Sequence, residues 1–522
     1  MAKTIETIIN RFDGGIQNDP RLRIQGASRV CKNFDVFTNR HKAIPFLGIE
    51  SGDSNASTYK PRNFAVALDA TVAEGTAYKL YTLGIKSGDT VANVRYKNID
   101  CCAATDLGGS SWSTLGTTAK HEGSASDVAF GLFTYWGKTG LIYCATTADN
   151  QIMTYDPDGL ADFAESGVNA VTMTTVSEGL VHSKDDKLYI PYDNSIMSTA
   201  DGTTWNDTAI TIPSHMVINS ICEYGNYIAI AGTPKSGIGK TFVYLWNRDS
   251  SLTTVSESIE WGTGQIKVLE EVEGFLVGIS YYGGTVRREK DRAIFRAYAG
   301  GTPQTFLTLQ TDISTLDIPS GKQKIDERLL FQMQYEKDSA IHGGIYSISL
   351  RNGRFALVQE SFADGSSQVE ITLDGTYFAQ KGFIKVGDTI FQSYINDSGS
   401  TYVMSKTDDQ TNYAYPSIFQ TNINPNMSAQ YMSTKKQLVA ISLSYDSLPT
   451  DGSAKLEYRV DGGSWVEIFT ETTDSAIITE AKIDVNGATF AEGREYEFRV
   501  TSKGGAVITE LKYKTELMGT II

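Results

Sequence analysis

The sequence predicts an all-β protein built around a β-propeller, and three observations lead to this fold class. The 522 residues include 27 Tyr and 22 Phe, which favour strands over helices. There are 48 Gly against only 12 Pro, which indicates many tight turns and no proline-rich linker. Short apolar runs bounded by turn residues recur along the chain, whereas amphipathic helical stretches are hard to find.

The repeated apolar runs are spaced like the blades of a propeller. Successive runs start about 40 to 60 residues apart, close to the period of a four-stranded blade. Because a blade packs between two neighbours, its inner strands should be apolar on both faces, as these runs are. We therefore predict a propeller of six or seven blades over residues 61–425. The runs begin at Tyr78 (YKLYTL), Gly140 (GLIYCA), Lys187 (KLYIPY), Asn226 (NYIAIA), Gly274 (GFLVGI), Arg328 (RLLFQM) and Asp388 (DTIFQS).

One turn inside the predicted propeller has a recognisable pattern. The segment from Ser198 to Trp205, STADGTTW, resembles the Asp-box hairpin of sialidase-like propellers, with the aspartate displaced by one place. Asp201 can accept hydrogen bonds from the turn backbone, Gly202 permits a positive φ, and Trp205 can cover the hairpin. The pattern predicts a structural turn and not a catalytic one.

The two ends of the chain differ from the predicted propeller. Over residues 428–522, polar and apolar residues alternate in five or six runs, and Asp461-Gly462-Gly463 supplies a hairpin turn. This pattern predicts an antiparallel β-sandwich. Residues 1–60 are predicted to form an extended assembly segment that packs on a neighbouring subunit or closes the first sheet. The apolar side chains expected at that interface are Phe12, Ile16, Phe34 and Phe37.

Charge and motif content exclude several function classes. The chain has 46 Lys and Arg against 61 Asp and Glu, a formal net charge of −15, which argues against a clamp on nucleic acid. The five histidines lack metal-ligand spacing and no GxSxG segment occurs. We therefore predict no catalytic residue, no metal, no cofactor and no enzymatic activity. No run approaches the roughly 18–20 apolar residues of a membrane helix, so no membrane insertion is predicted.

The segment 232–241 resembles a phosphate-binding loop, GTPKSGIGKT. Pro234 stands where that motif requires its first glycine. The residues that follow, Thr241 to Trp246, read as a strand and not as the helix whose N-terminus would hold a phosphate. We therefore expect a hairpin loop within one blade.

The N-terminal forty residues carry a family resemblance. Phe12-Asp13-Gly14-Gly15-Ile16, then Asp19-Pro20-Arg21 and Asn33-Phe34-Asp35, resemble the start of tailed-bacteriophage tail structural proteins of the nozzle or tail-tip type. The resemblance implies β-propellers on a β-rich platform. It also implies a virion structural protein made in the host cytoplasm, which forms a homo-oligomeric, hexameric ring with other tail proteins around the DNA exit path. DNA would pass such an acidic ring without specific contacts.

Two other functions remain open on the sequence. A glycan-binding receptor adhesin, on a virion or cell surface, would use tyrosines of the propeller loops to stack on host-surface sugars. Candidate loops contain Tyr281-Tyr282-Gly283-Gly284 and Tyr413-Ala414-Tyr415. An all-β glycoside hydrolase would need two carboxylates facing each other across a cleft, and the sequence selects no such pair.

Overall fold

A computed structural model of the protein is described here for the following residues: 3–17, 25, 27–46, 49–50, 59–68, 77–86, 92–100, 113–114, 133–137, 140–145, 151–155, 164–165, 177–237, 239–249, 251, 255–283, 291–311, 316–318, 321–337, 340–361, 382–386, 389–395, 402–407, 416–482 and 490–518. Within these ranges the regular structure is strand, apart from one 3-10 turn at Ala429–Tyr431. The predicted all-β class is confirmed.

The chain divides into two compact units. Unit 1 contains Met1–Ile49, Tyr346–Phe362 and Gln410–Ile522, and unit 2 contains Glu50–Ile345 and Ala363–Asp409. The division differs from the three consecutive domains expected from the sequence, which were 1–60, 61–425 and 428–522. The two ends of the chain belong to one unit because their strands pair: Thr4 lies opposite Glu516 and Ile9 opposite Leu511.

Within the described ranges, unit 2 contains six four-stranded sheets and part of a ten-stranded sheet, and we number these seven groups of strands as blades 1 to 7 in chain order. Blade 1 consists of Tyr59–Leu68, Ala77–Lys86, Ala92–Asp100 and Ser113–Thr114, and blade 2 of Phe133–Trp136, Gly140–Ala145, Gln151–Tyr155 and Ala164–Glu165. Blade 3 consists of Leu180–Val181, Leu188–Tyr192, Ser195–Thr199 and Trp205–Thr211, and blade 4 of Met216–Tyr224, Tyr227–Pro234, Lys240–Trp246 and Glu257–Thr263. Blade 5 consists of Gln265–Val272, Phe275–Tyr282, Arg292–Tyr298 and Gln304–Gln310.

The last two blades depart from the simple meander. In blade 6, Leu316–Asp317 and Lys322–Ile325 both pair with Arg328–Lys337, which is followed by Ala340–Arg351. The boundary of unit 2 falls within that last strand. Blade 7 consists of Phe383–Val386, Thr389–Ile395 and Tyr402–Thr407, and its outer strand is Ile49–Glu50, where the chain enters unit 2. The ring is therefore closed by strands from two distant parts of the sequence.

Apolar contacts join neighbouring blades at several seams of the described residues. Blades 3 and 4 share one buried cluster and blades 4 and 5 share another. Blade 7 packs against blade 1 through Phe64, Leu80, Ile384 and Phe391, which completes the ring. The predicted propeller is confirmed, with seven blades in the part of the chain that the structure describes.

A buried lysine ties the inner strands of blades 4, 5 and 6 together. Lys322 Nζ donates to the carbonyl oxygen of Ile221 at 2.8 Å and to that of Leu269, and it lies 2.7 Å from Glu270 Oε2. Burial acts to lower the pKa of Lys322, but the surrounding negative groups, Glu270 first among them, together outweigh it, and the pKa is raised. The ammonium therefore stays charged and satisfied inside the ring.

Replacing this lysine should destabilise the propeller. Lys322→Met leaves the Glu270 carboxylate and two carbonyls without their donor, and we expect a loss of about 3–5 kcal/mol in the free energy of unfolding. The matched control is Lys324→Met, two residues along the same strand, whose half-exposed pair with Glu271 should contribute about 0–1 kcal/mol. Urea unfolding measures both variants, and equal losses would contradict the assignment.

Unit 1 is a β-sandwich. Its first sheet has the order Thr4–Ile9, Ile508–Leu517, Lys436–Tyr445 and Ile478–Lys482, and Glu492–Gly493 also pairs with the third of these. Its second sheet has the order Arg354–Ser361, Ser28–Lys32, Ser417–Thr421, Tyr496–Lys503, Ser453–Val460 and Val466–Glu471. A separate pair is Phe34–Asp35 with Ile44–Pro45. The sheets pack face to face, with the rings of Phe498 and Tyr513 4.8 Å apart.

Candidate functional site

The apolar residues expected at an assembly interface lie in the core of unit 1. Phe12, Ile16, Phe34 and Phe37 are between 0% and 5% exposed. The Phe12 ring meets that of Phe419 edge-on with centroids 5.2 Å apart, and Ile16 N donates to the carbonyl oxygen of Leu357 at 2.9 Å. These side chains therefore hold the N-terminal segment onto its own sandwich. A role of this segment in contacting other subunits stays a prediction.

The burial of Phe12 can be tested by its effect on stability. Phe12→Ala removes a buried ring that contacts Phe419, and we expect a loss of about 3–5 kcal/mol in the unfolding of unit 1. The control is Ile8→Ala on the neighbouring strand, because the Ile8 side chain is 39% exposed and should contribute about 0.5 kcal/mol or less. Chemical denaturation of both variants measures the difference. A negligible loss for Phe12→Ala would show that the segment is not part of the core.

The predicted Asp-box-like turn lies between the third and fourth strands of blade 3. The backbone N–H groups of Thr203 and Thr204 donate to Asp201 Oδ1 at 2.9 and 2.7 Å, and these bonds lower the pKa of Asp201. Gly202 has a φ of 76°, a value that glycine adopts without strain. Trp205 opens the fourth strand opposite Thr199. The three residues thus form a local turn, and no ligand-directed group is exposed by it.

The loop that resembles a phosphate-binding loop connects two strands of blade 4. The strand Tyr227–Pro234 precedes it and the strand Lys240–Trp246 follows it, and the two pair antiparallel. No helix N-terminus is therefore directed at this loop, and the geometry that holds a phosphate is missing from it.

A charged cluster lies between the turns of blades 3 and 4. Arg248 Nη1 is 3.0 Å from His182 Nδ1 and donates to Asp185 Oδ2 at 3.2 Å, and the Tyr189 hydroxyl donates to the same oxygen at 2.9 Å. His182 is completely buried. Since no ligand can reach the imidazole in this arrangement, the cluster acts as a tie between two blades.

The opposite end of blade 5 carries a different arrangement. Tyr282 ends the second strand, Arg292 begins the third and Gln310 ends the fourth. Strand register places Tyr282 directly opposite Arg292, and Arg292 directly opposite Gln310. Directly opposed residues share one face of a sheet, so the three side chains form a row across the blade. All three are half-buried, and we call them the blade 5 row.

The blade 5 row is rigidly supported. The Arg292 guanidinium carbon lies 4.7 Å from the centroid of the Tyr282 ring, which is a cation–π stack. On the adjoining residues, the Tyr281 hydroxyl donates to Asp291 Oδ2 at 3.2 Å, and Thr311 N donates to the carbonyl oxygen of Asp291 at 3.0 Å. The Asp291 contacts join all three strand ends, so the row does not depend on a single hairpin for its position.

The same face of blade 5 packs against blade 4 below the row. A Cβ on Gly278 would lie 2.6 Å from the Trp261 ring, and a Cβ on Gly262 would lie 3.0 Å from Arg296 Nη2. These glycines let the two blades approach closely along their length. Arg292 and Arg296 are four residues apart on one strand and share this face. The blade 5 row therefore lies at the mouth of the seam between blades 4 and 5.

Two groups in the row have polar atoms without a protein partner. The side-chain amide of Gln310 makes no hydrogen bond within the described residues. Arg292 Nε is buried and has no hydrogen-bond partner, and its guanidinium forms no ion pair in that part of the chain. Polar groups that are half-buried and lack a protein partner can be satisfied by a ligand. An aromatic ring, a guanidinium and an amide in one row can together bind a polar organic molecule.

Sequence reasoning identified only part of this row. It singled out the Tyr281-Tyr282 loop but not Gln310, because strand register alone brings Gln310 into line with Arg292 and Tyr282. The other candidate tyrosines, Tyr413 and Tyr415, lie outside the described residues. Over those residues there is also no group of three or more His, Cys, Asp or Glu side chains placed to hold a metal ion. No helix long and apolar enough to cross a membrane was found among them.

Comparisons with known proteins give structural neighbours only. No family model and no curated protein matches the chain. An exo-β-1,3-galactanase from Phanerochaete chrysosporium is 9% identical, with 90% of this chain and 100% of the galactanase covered and a TM-score of 0.32. A sialidase from Trypanosoma rangeli is 10% identical, with 98% of this chain and 96% of the sialidase chain covered and a TM-score of 0.30. AofleA from Arthrobotrys oligospora is 11% identical, with 66% of this chain and 92% of the AofleA chain covered and a TM-score of 0.31.

These neighbours contradict two sequence predictions. The predicted function, a tail ring around a DNA exit path, is contradicted. The structural neighbours are named as a galactanase and a sialidase. The prediction that the chain is not an enzyme is likewise contradicted. The tail prediction was based on a short N-terminal resemblance whose phenylalanines are core residues of unit 1. The prediction of no enzyme was based on motifs local in sequence, whereas a propeller assembles sites from separate strands and blades.

Proposed function

We propose that the protein binds carbohydrate at the blade 5 row. The observation that carries this proposal is the cross-strand alignment of Tyr282, Arg292 and Gln310, all half-buried, at the mouth of a seam between blades. Neighbouring strands lie about 4.8 Å apart, so the row spans about 10 Å, comparable to the length of a disaccharide. The proposal attaches the glycan-binding alternative of the sequence analysis to particular residues.

Each side chain in the row contributes a recognised element of sugar binding. A tyrosine ring offers apolar area to the C–H face of a pyranose. An amide both donates and accepts, so Gln310 can bind two adjacent hydroxyl groups. Few polar groups placed precisely beside an aromatic surface are typical of small-molecule sites. The support from Asp291 and Thr311 holds these groups in place before binding, which lowers the entropy cost of association.

The location and assembly of the protein are separate from this proposal. Its predicted place in a virion tail and its predicted self-association stay predictions, and carbohydrate binding by the row is compatible with a surface position in any assembly.

The proposal predicts that glycan binding depends on the row. On a glycan array, the wild-type protein should bind a defined set of sugars. Tyr282→Ala and Gln310→Ala should weaken that binding by about tenfold to a hundredfold, equivalent to about 1.4–2.8 kcal/mol. Isothermal titration calorimetry with the best glycan measures the loss.

The control variant is Tyr227→Ala. Tyr227 is 37% exposed and lies at the turn between the first and second strands of blade 4, at the other end of the blades from the row. Removing it tests for non-specific aromatic effects, and binding should not change. A folded wild-type protein that binds no glycan, or equal losses for Tyr282→Ala and Tyr227→Ala, would refute the proposal.

A further inference from the structure

We infer that the sugar bound at the blade 5 row is acidic and that its carboxylate pairs with Arg292. This inference rests on the proposed carbohydrate binding and adds the chemical class of the ligand. It follows from the state of the Arg292 guanidinium, which is stacked and partly desolvated but has no counter-ion within the described residues.

Two stacked arginines of unit 1 show what Arg292 lacks. In unit 1, Arg459 and Arg499 both stack on the Trp465 ring, at 4.8 and 4.5 Å. Arg459 holds Glu497 through two bonds of 2.9 Å, and Arg499 holds Glu457 through bonds of 2.7 and 2.8 Å. Each of these guanidinium groups therefore has an aromatic ring against one face and a carboxylate along one edge.

Arg292 has the aromatic half of this arrangement without the carboxylate. Its ring contact with Tyr282 is as close as those of Trp465, at 4.7 Å. Its Nε is buried without a partner. Removing a charged donor from water without pairing it costs free energy, and unpaired buried charges are rare for that reason. The nearest acidic neighbour in sequence, Asp291, accepts instead from the Tyr281 hydroxyl.

The geometry of the stacked guanidinium suits a carboxylate. Stacking on Tyr282 fixes the plane of the guanidinium, and its N–H groups then point outward in that plane. A planar carboxylate can accept two parallel hydrogen bonds from the two Nη groups of Arg292, which, unlike Nε, are not fully buried. A uronic acid or another sugar carboxylate would place its ring over Tyr282 and its hydroxyl groups near the Gln310 amide.

The test compares glycans that differ only in the acidic group. Oligogalacturonate, the neutral galactose oligomer of the same linkage, and a sulfated galactose oligomer are titrated into the full-length protein, alongside the corresponding glucuronate and glucose pair. We expect a uronate to bind at least tenfold more tightly than its neutral parent in 50 mM NaCl. The advantage should shrink in 500 mM NaCl because salt screens the charge pair.

Two variants separate the charge pair from a general loss of structure. In Arg292→Gln, uronate binding should fall to the level of the neutral parent. In Gln310→Glu, the new carboxylate lies directly opposite Arg292 and should occupy its free edge, so the preference for uronate should disappear without loss of the cationic residue. Thermal unfolding of both variants shows whether the fold is kept, and Gln310→Glu keeps the test valid if Arg292→Gln does not fold.

The outcomes distinguish this inference from the proposed function. Neutral sugars that bind as tightly as uronates would overturn the acidic class and leave carbohydrate binding intact. Preference for the sulfated oligomer over both uronates would overturn the carboxylate. A preference that survives both variants would place the acid elsewhere on the protein. A protein that binds none of the sugars, on the array or in titration, would overturn both.

Discussion

A propeller blade has two faces to bury, and this constraint explains most of the structure of unit 2. A single four-stranded sheet of this chain is apolar on both sides, as in the second strand of blade 4, where Ile228 to Ala231 are completely buried. Such a sheet is stable only between two neighbours. The ring must therefore close, and blade 7 does so by combining Phe383–Val386, Thr389–Ile395 and Tyr402–Thr407 with Ile49–Glu50. Closure makes the seven seams interdependent.

The same packing requirement creates the candidate site. Where blades 4 and 5 touch, Gly262 and Gly278 leave room for Arg296 and Trp261, and the seam is filled. At the end of blade 5, where these strands begin or end, the Arg292 guanidinium and the Gln310 amide make no side-chain hydrogen bond within the described residues. These two side chains are therefore partly desolvated by the blades and available to a ligand. Inside the ring, by contrast, the buried cation Lys322 has its carboxylate partner, Glu270.

Sequence reasoning succeeded where the signal was local and periodic. The spacing of apolar runs predicts the blades, and tyrosines beside Gly283 indicate an exposed loop. It could not identify pairings between distant segments. Nothing in residues 4–9 specifies their pairing with residues 511–516, so the N-terminal strand was placed in an assembly segment. Likewise, Gln310 is eighteen residues from Arg292, and only the third and fourth strands of blade 5 in register bring them together.

The central claim is that the blade 5 row is a ligand site, and a crystal structure of the protein soaked with a short uronic acid oligomer tests it most directly. The account predicts electron density for a sugar ring against Tyr282, with its carboxylate within hydrogen-bond distance of the Arg292 guanidinium and a hydroxyl near the Gln310 amide. A sugar bound at another blade, with the blade 5 row unchanged, would contradict the account. So would a crystal in which the uronate binds nowhere at concentrations that saturate the protein in solution.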